Sequence, residues 1–434
     1  MNNKTDDALP QKRNPLGWIP SVYFGMGLPF VALSAVSTLM FMDLGVDKVT
    51  IASWTSLLLL PWSLKPIFSL IMELVGRKHQ YIIATEAIAA LMFGLLAFTL
   101  MPSLGLEVGT WFPIAIALMG VIAVGGSMHD IAGDGVYMEQ LSSSEQGQWS
   151  GWQGAFYNLA KILANGGLVW LAGYLGTSLG LRTAWAIIMA ATGIIMLGLA
   201  GYHILMLPRE ATEASDGRKT MDEALRELGE VVVSFFRKPY IWLYLAFIFL
   251  YRFTEGLAMK MAPIFLKDSV ELGGIGLSNE QFGLIYGTAG TVAFIIGSIL
   301  AGYFIGHYGL RRVLRTLVII FNATFAVYYV LALYQPSSMW AITLGIVFEY
   351  FCYGFGFVGV ILFMMQQIAP GKYQMAHYAF ANSLMNISFM VPGIISGWLC
   401  ERLGYETFFL VALLMALPVV ALSFFLPFAH EEKK

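Results

Sequence analysis

Twelve long apolar stretches dominate the chain and limit what it can fold into. A helix needs about 20 mainly apolar residues to cross the hydrocarbon core of a bilayer, and each stretch reaches that length. Their approximate limits are residues 16–41, 50–72, 80–101, 112–138, 150–175, 183–207, 240–266, 280–305, 312–334, 338–368, 373–399 and 405–428. Strands of a membrane β-barrel would be shorter and would alternate apolar with polar residues. The sequence therefore predicts an all-α membrane protein with twelve transmembrane helices, numbered here as span one to span twelve.

Composition and charge exclude several functional classes. Charged residues make up 12% of the chain, against roughly 25% in an ordinary soluble domain. The net charge of −2 gives no electrostatic reason to expect a nucleic-acid partner. The two cysteines lie in apolar runs, and the sequence contains no GxSxG, Walker or HExxH motif. We therefore expect no catalytic site, cofactor or metal site, and any pumping would be driven by an ion gradient.

A charged segment divides the chain into two groups of six spans. It predicts an N-terminal half at residues 1–207, a linker at 208–238 and a C-terminal half at 239–434. Within the linker, the spacing of apolar residues predicts an amphipathic surface helix from Thr220 to Arg237. Lys and Arg are concentrated in the loops that share a side with both termini and the linker, which predicts that this side is cytoplasmic. Because one chain contains both halves, we expect a monomer.

Several ionisable residues lie inside the predicted spans. A charge near the bilayer centre costs about 2.5–3.5 kcal/mol even on a lenient scale, so these side chains are expected to face an interior cavity. Basic and acidic groups nearly balance, which is consistent with a shared cavity. The residues are Lys65, Glu86, Asp130, Asp134, Lys161, Arg252, Glu255, Lys260 and Glu349.

Span four carries two carboxylates on one face. Asp130 and Asp134 are four residues apart, and like charges that close favour a proton on one of them. The pair could therefore hold and release a coupled proton. The alternative is a structural role, with one carboxylate in a salt bridge with Lys65 or Lys161 and the other near a cytoplasmic gate. His129 is either a titrating neighbour or a hydrogen-bonding wall residue.

Span seven carries a cation and a carboxylate on one face. Arg252 and Glu255 are three residues apart and either pair with each other or act separately. In the second case the planar guanidinium of Arg252 binds a carboxylate or phosphate of the substrate, and Glu255 gains and loses the coupled proton. In span ten, Glu349 lies among aromatic residues, and Tyr350 and Tyr353 are suited to stacking on a sugar.

Other patterns have a structural explanation. The pairs Gly283 and Gly287 in span eight, and Gly393 and Gly397 in span eleven, have the GxxxG spacing of helix-packing faces. Prolines inside the spans predict kinks. The polar and aromatic residues at the start of span five are either cavity lining or an interfacial belt. They are Trp152, Gln153, Tyr157 and Asn158.

Several motifs resemble one branch of a transporter superfamily. The segments are Leu60-Pro61-Trp62-Ser63-Leu64-Lys65-Pro66 and Asp130-Ile131-Ala132-Gly133-Asp134-Gly135 in the first half, and Tyr251-Arg252, Glu255, Ala258-Met259, Phe348-Glu349 and Pro392-Gly393 in the second. Together they resemble the major facilitator branch that contains AmpG-type muropeptide permeases and acetyl-coenzyme A transporters. The second half is more similar to the AmpG type.

This resemblance implies a function and a set of site residues. It implies a bacterial inner-membrane protein that imports a cell-wall sugar derivative, such as N-acetylglucosaminyl-anhydro-N-acetylmuramic acid, by proton symport and alternating access. The expected substrate-binding residues are Lys65, His129, Lys161, Arg252, Tyr350 and Tyr353. The expected proton-coupling residues are Asp130, Asp134, Glu255 and Glu349.

The sequence also departs from the AmpG pattern at three positions. His129 stands where such proteins commonly have glutamine, and Arg252 and Glu255 replace a lysine and an aspartate. Another oligosaccharide, an acidic sugar or an acetyl-coenzyme A type cargo therefore remains an alternative, as does sodium in place of the proton.

Overall fold

The computed structural model describes residues 13–74, 77–141, 143–208 and 221–429. These parts of the chain are helical, with no strand among them. Nine predicted spans correspond to single helical segments that are long and apolar enough to cross a bilayer. In chain order they are Pro15–Asp43, Lys78–Thr99, Val108–Gln140, Gly151–Leu179, Leu181–Met206, Ile241–Lys267, Asn279–Tyr308, Leu310–Tyr334 and Met339–Ile368.

The remaining three spans are interrupted or joined. Span two consists of the helices Lys48–Leu57, Leu60–Ser63 and Lys65–Leu74, whose breaks coincide with two prolines that lack an N–H donor. Spans eleven and twelve run together as Gln374–Leu414, followed by Leu417–Ser423. Gly404 separates them, because its φ of 72° and ψ of 164° are a backbone conformation that glycine adopts readily. The predicted all-α fold with twelve transmembrane helices is confirmed.

The spans alternate in direction, which defines two ends of the bundle. The linker side carries the linker helix, Met221–Phe236, and the connections between spans two and three and between spans eight and nine. The opposite side carries the connections between spans one and two and between spans seven and eight. The linker helix predicted from Thr220 to Arg237 is present at Met221–Phe236, whereas residues 209–220 of the predicted linker lie outside the described residues.

The linker helix is attached to the start of span eleven. The Ser234 hydroxyl lies 3.0 Å from Nε2 of His377, and the Tyr373 hydroxyl donates to Glu230 at 3.0 Å. Just beyond the helix, the Lys238 ammonium donates to the carbonyl oxygen of Pro370. These contacts hold the linker helix against the second half of the chain.

Within the described residues, four of the spans contain a π-helical stretch. The stretches are Ala32–Val36, Ile162–Leu168, Gly283–Gly290 and Met364–Ile368. Such wider turns are uncommon and are frequently found at functional sites. The second and third of them pack against each other, which brings span five of the first half against span eight of the second.

Glycines allow spans five and eight to approach closely. A Cβ atom added at Gly283 would lie 2.6 Å from the carbonyl oxygen of Gly166, and one at Gly287 would overlap the backbone of Asn165. In span eleven, a Cβ at Gly397 would lie 2.8 Å from the carbonyl oxygen of Lys48 in span two. The predicted packing role of both GxxxG pairs is confirmed, and the contacts join the two halves.

We expect Gly287→Ala to destabilise the protein by about 1–3 kcal/mol, because its methyl group would meet backbone atoms that cannot rotate away. The matched control is Gly306→Ala in the same span, where nothing lies within 4 Å of the added atom. Both changes gain similar helix propensity, so the comparison isolates the steric term. The measurement is the thermal unfolding midpoint of the purified protein in detergent, and equal midpoints would contradict the packing role.

Candidate substrate-binding site

A cavity of about 340 Å³ lies between the two halves. Spans one, two and five of the first half line it, together with spans seven, eight, ten and eleven of the second. The charged residues of its lining are Lys161, Arg252, Glu255 and Lys260. Three cations therefore face one carboxylate, which gives the cavity an excess of positive charge.

Arg252 and Glu255 form a bidentate ion pair. The Nε atom of Arg252 donates to Oε2 of Glu255 at 2.6 Å, and Nη2 donates to Oε1 at 2.5 Å. The hydroxyl of Tyr353 also donates to Oε1 of Glu255, at 2.7 Å. Both charged side chains are buried. Of the two arrangements that the sequence left open, the structure therefore shows the self-paired one.

Neither lysine of the cavity forms an ion pair with a carboxylate among the described residues. The ammonium of Lys161 lies 5.3 Å from the ring centre of Tyr157 and 5.4 Å from that of Phe294, so aromatic faces partly stabilise its charge. Lys260 is 4% exposed and makes no hydrogen bond or ion pair in the described part of the chain. It lies eight residues after Arg252, about 12 Å further along span seven toward the opposite side.

Aromatic rings form much of the cavity wall. Phe30 packs edge-on against Trp62 with ring centres 5.1 Å apart, and Tyr286 packs edge-on against Tyr350 at 5.0 Å. Rings held in this way present flat apolar faces beside hydroxyl and indole donors. Tyr157 lines the cavity as well, which favours the first of the two interpretations given for the start of span five.

The carboxylates of span four lie outside the cavity lining. Asp130 accepts from Lys65 at 3.0 Å and from the indole N–H of Trp62 at 2.9 Å. Asp134 accepts at 2.8 Å from the hydroxyl of Tyr23. Of the two salt bridges allowed by the structural alternative, with Lys65 or with Lys161, the one with Lys65 is present. The hydrogen bond from Trp62 to Asp130 also holds a ring that lines the cavity.

His129 belongs to a buried polar cluster in the first half. Its Nε2 lies 3.1 Å from Oε1 of Glu86, and Nδ1 of His203 lies 2.8 Å from Oε2 of the same carboxylate. His203 also contacts the hydroxyl of Ser21 at 2.8 Å. The cluster joins spans one, three, four and six and is separate from the cavity.

Glu349 is buried behind the cavity wall in span ten. Its Oε2 accepts from the hydroxyl of Tyr328 at 3.1 Å, while its Oε1 has no hydrogen-bond partner in the described structure. A buried oxygen without a donor is costly when the group is ionised. Glu349 therefore leaves one buried acceptor unsatisfied in the described structure, and it does not line the cavity.

Asp43 connects the two halves at the opposite side. It forms an ion pair with Lys267 at the end of span seven and accepts from the side-chain amide of Asn279 at 2.6 Å. Within its own half it accepts from the indole N–H of Trp185 at 2.8 Å. A further hydrogen bond between the halves runs from Ser53 to the carbonyl oxygen of Ile394 at 3.1 Å. These contacts join the two halves at the opposite side.

The structure divides the predicted site residues into two groups. Those in the cavity lining are Lys161, Arg252, Glu255, Tyr350 and Tyr353; those outside it are Lys65, His129, Asp130, Asp134 and Glu349. The sequence analysis assigned no role to several polar residues of the lining. They are Asn165, Lys260, Tyr286 and Asn386. Only Lys260 carried a signal, as a charge inside an apolar span.

A bundle of membrane-spanning helices with a charged cavity between two halves is the organisation of a secondary membrane transporter. The chain belongs to the Major Facilitator Superfamily, whose sequence profile matches residues 21–274 and 248–434. The predicted family is confirmed, and with it the prediction of a multi-pass transporter rather than an enzyme.

Individual relatives agree with this assignment. The chain is 24% identical to the anhydromuropeptide permease of Escherichia coli (strain K12), over 91% of this chain and 76% of that protein. It is 24% identical to an uncharacterized protein of Haemophilus influenzae, over 95% and 94% of the two chains. Among solved structures, a D-xylose-proton symporter matches with a TM-score of 0.67 at 12% identity, covering 95% of this chain and 98% of that one. The nucleoside transporter NupG matches with a TM-score of 0.64 at 14% identity, covering 94% and 97%.

Proposed function

We propose that the protein imports a cell-wall-derived sugar or muropeptide of the N-acetylglucosaminyl-anhydro-N-acetylmuramic acid type by proton symport. Its location would be the bacterial inner membrane, with both termini and the linker in the cytoplasm. The similarity to an anhydromuropeptide permease over most of both chains supports the substrate class. In this proposal residues 1–207 and 239–434 are the two moving halves, and one chain is sufficient because both halves contribute to the cavity.

The excess positive charge of the cavity is the observation that carries the proposal. Lys161 and Lys260 have no carboxylate partner among the described residues, and uncompensated buried charges are unfavourable. A substrate with a carboxylate would supply the missing negative charge. The free N-acetylglucosaminyl-anhydro-N-acetylmuramic acid disaccharide has such a group on its muramic acid, and we expect its sugar rings to pack against walls formed by Trp62, Tyr286 and Tyr350.

The size of the cavity favours the sugar part of the substrate over a long peptide. Ligand pockets typically measure roughly 300–1,000 Å³, and this cavity of about 340 Å³ lies at the lower end. A disaccharide with a long peptide would need more space than the present state of the protein offers. We therefore expect the free disaccharide to be transported at least as well as its peptide-bearing form.

Proton coupling would use the carboxylate inside the cavity. Glu255 holds Arg252 in a bidentate ion pair. Protonation of Glu255 would remove its charge and weaken this pair, so that the guanidinium of Arg252 could bind the substrate. Glu349, with one oxygen unpaired, is a second candidate carrier. Asp130 and Asp134 lie nearer the linker side and would act through Trp62 and Tyr23 rather than on the substrate.

The direct test is uptake of labelled N-acetylglucosaminyl-anhydro-N-acetylmuramic acid into vesicles that contain the purified protein. We expect accumulation when an inward proton gradient is imposed and little accumulation when it is collapsed by an uncoupler. An inward sodium gradient at equal pH is the control for the alternative ion. Absence of uptake by correctly folded protein would reject this substrate.

A different acidic sugar is the alternative that the cavity itself supports. Its positive charge suits any small sugar acid, whereas a neutral oligosaccharide would leave the lysines without a partner. Uptake of a panel of neutral and acidic sugars separates these cases, because transport of a neutral sugar should survive neutralisation of Lys161. An acetyl-coenzyme A type cargo is included in the panel and is expected to be too large for this cavity.

A further inference from the structure

Lys260 is a buried basic residue without an ion-pair partner in the described part of the molecule. The side chain is 4% exposed, and it has neither a carboxylate nor a hydrogen-bond acceptor within bonding distance there. It nevertheless belongs to the cavity lining, so the little surface that it retains opens into the cavity. An ammonium in such a place is unfavourable unless a negative charge comes to it.

The other two cations of the cavity are already engaged. Arg252 uses three of its nitrogens, two on Glu255 and one on the carbonyl oxygen of Met385 at 3.3 Å. Lys161 lies over two aromatic rings, which stabilise a cation without neutralising it. Lys260 has no such contact, so it gains most from an anion in the cavity.

A second unsatisfied group lies in the same cavity. The side-chain oxygen of Asn165 is buried, lines the cavity and accepts no hydrogen bond from the described residues. Asn165 belongs to span five of the first half, and Lys260 to span seven of the second. A ligand that carries both an anionic group and an N–H or O–H donor could satisfy both residues and would then contact both halves.

We infer that Lys260 is the anion-binding residue of this transporter, and that it receives a carboxylate or phosphate of a sugar ligand at the end of the cavity nearest the opposite side. This inference deepens the proposed function and rests on it. Arg252 lies about 12 Å away along the same helix, which is roughly the length of a disaccharide. The charged end of the ligand would therefore lie at Lys260 and the uncharged sugar near the Arg252–Glu255 pair.

The test compares binding of matched sugars by the purified full-length protein, measured by isothermal titration calorimetry in detergent. N-acetylmuramic acid is paired with N-acetylglucosamine, which lacks its carboxylate, and glucose 6-phosphate is paired with glucose. The variant is Lys260→Met, which keeps the length of the side chain and removes its charge. Lys260→Arg keeps the charge, and Lys48→Met removes a lysine that lies over Tyr405 outside the cavity.

We expect the wild type to bind at least one acidic sugar about tenfold or more tightly than its neutral partner, as a hydrogen-bonded charge contact predicts. Lys260→Met should abolish that preference, while Lys260→Arg and Lys48→Met should retain it. An equal affinity for both members of every pair in the wild type, or an unchanged preference in Lys260→Met, would overturn the inference. Because binding is measured without transport, failure of muropeptide uptake is a separate result that rejects the substrate but not the anion contact.

Discussion

Arg252→Gln should reduce uptake to below about 1% of the wild type. The change removes the partner of a buried carboxylate, and breaking a buried ion pair in this way typically costs about 3–5 kcal/mol. A loss of about 3 kcal/mol in the binding-competent state already corresponds to more than a hundredfold in an equilibrium. The measurement is gradient-driven uptake into vesicles at equal protein content, with the thermal unfolding midpoint recorded for the same preparation.

The double variant Arg252→Gln/Glu255→Gln separates folding from function. Two neutral amides can hydrogen bond to each other, so most of the lost thermal stability should return. Uptake should not return, because both the arginine fork and the titrating carboxylate are absent. Normal uptake by the single variant would remove Arg252 from the mechanism, and recovered uptake in the double variant would limit the pair to a structural role.

Asp43→Asn should open the opposite side of the transporter. Asp43 is the one residue through which Trp185 in the first half is linked to Lys267 and Asn279 in the second, among the contacts described here. An asparagine keeps a hydrogen-bonding oxygen but removes the charge that neutralises Lys267. We expect the equilibrium between the closed and open states of this end to shift toward the open state by at least about tenfold.

Distances between spin labels at the opposite side measure this change. Labels at Leu104→Cys and Val270→Cys, both exposed, would report the separation of the halves after Cys352 and Cys400 are replaced by alanine. The matched control is Asp47→Asn, an exposed helix cap at the same end that accepts from the backbone N–H of Thr50 at 2.9 Å and contacts nothing in the second half among the described hydrogen bonds. Equal distance distributions for Asp43→Asn and the control would show that Asp43 does not hold this end closed.

The membrane fold could be predicted from the sequence because the thickness of the bilayer sets a minimum length for each apolar helix. Apolar runs of sufficient length predicted the twelve spans, and their limits agree with the helices to within a few residues for most of them. The breaks were harder to place. Pro61 and Pro66 indicated a kink in span two, whereas the sharp reversal at Gly404 depends on one positive φ that the apolar pattern does not encode.

Contacts within the candidate site could be predicted from the sequence only where the two partners are close in the chain. Arg252 and Glu255 are one turn apart, so their pairing was one of two explicit hypotheses. Glu86 and His203 are 117 residues apart, and no spacing rule connects them. The same applies to the cavity itself, since lining residues such as Asn165 and Asn386 meet only when the two halves pack against each other. A charge in an apolar span indicates an interior position but does not identify its neighbours.

The attachment of the linker helix determines which motion a probe on that helix would measure. Ser234 and Glu230 bind His377 and Tyr373 at the start of span eleven, and Lys238 binds the segment just before it. The helix therefore belongs mechanically to the C-terminal half, although it follows span six in the chain. A fluorophore on its exposed face, paired with one on the first half, would follow the transport cycle in real time without any label inside the substrate pathway.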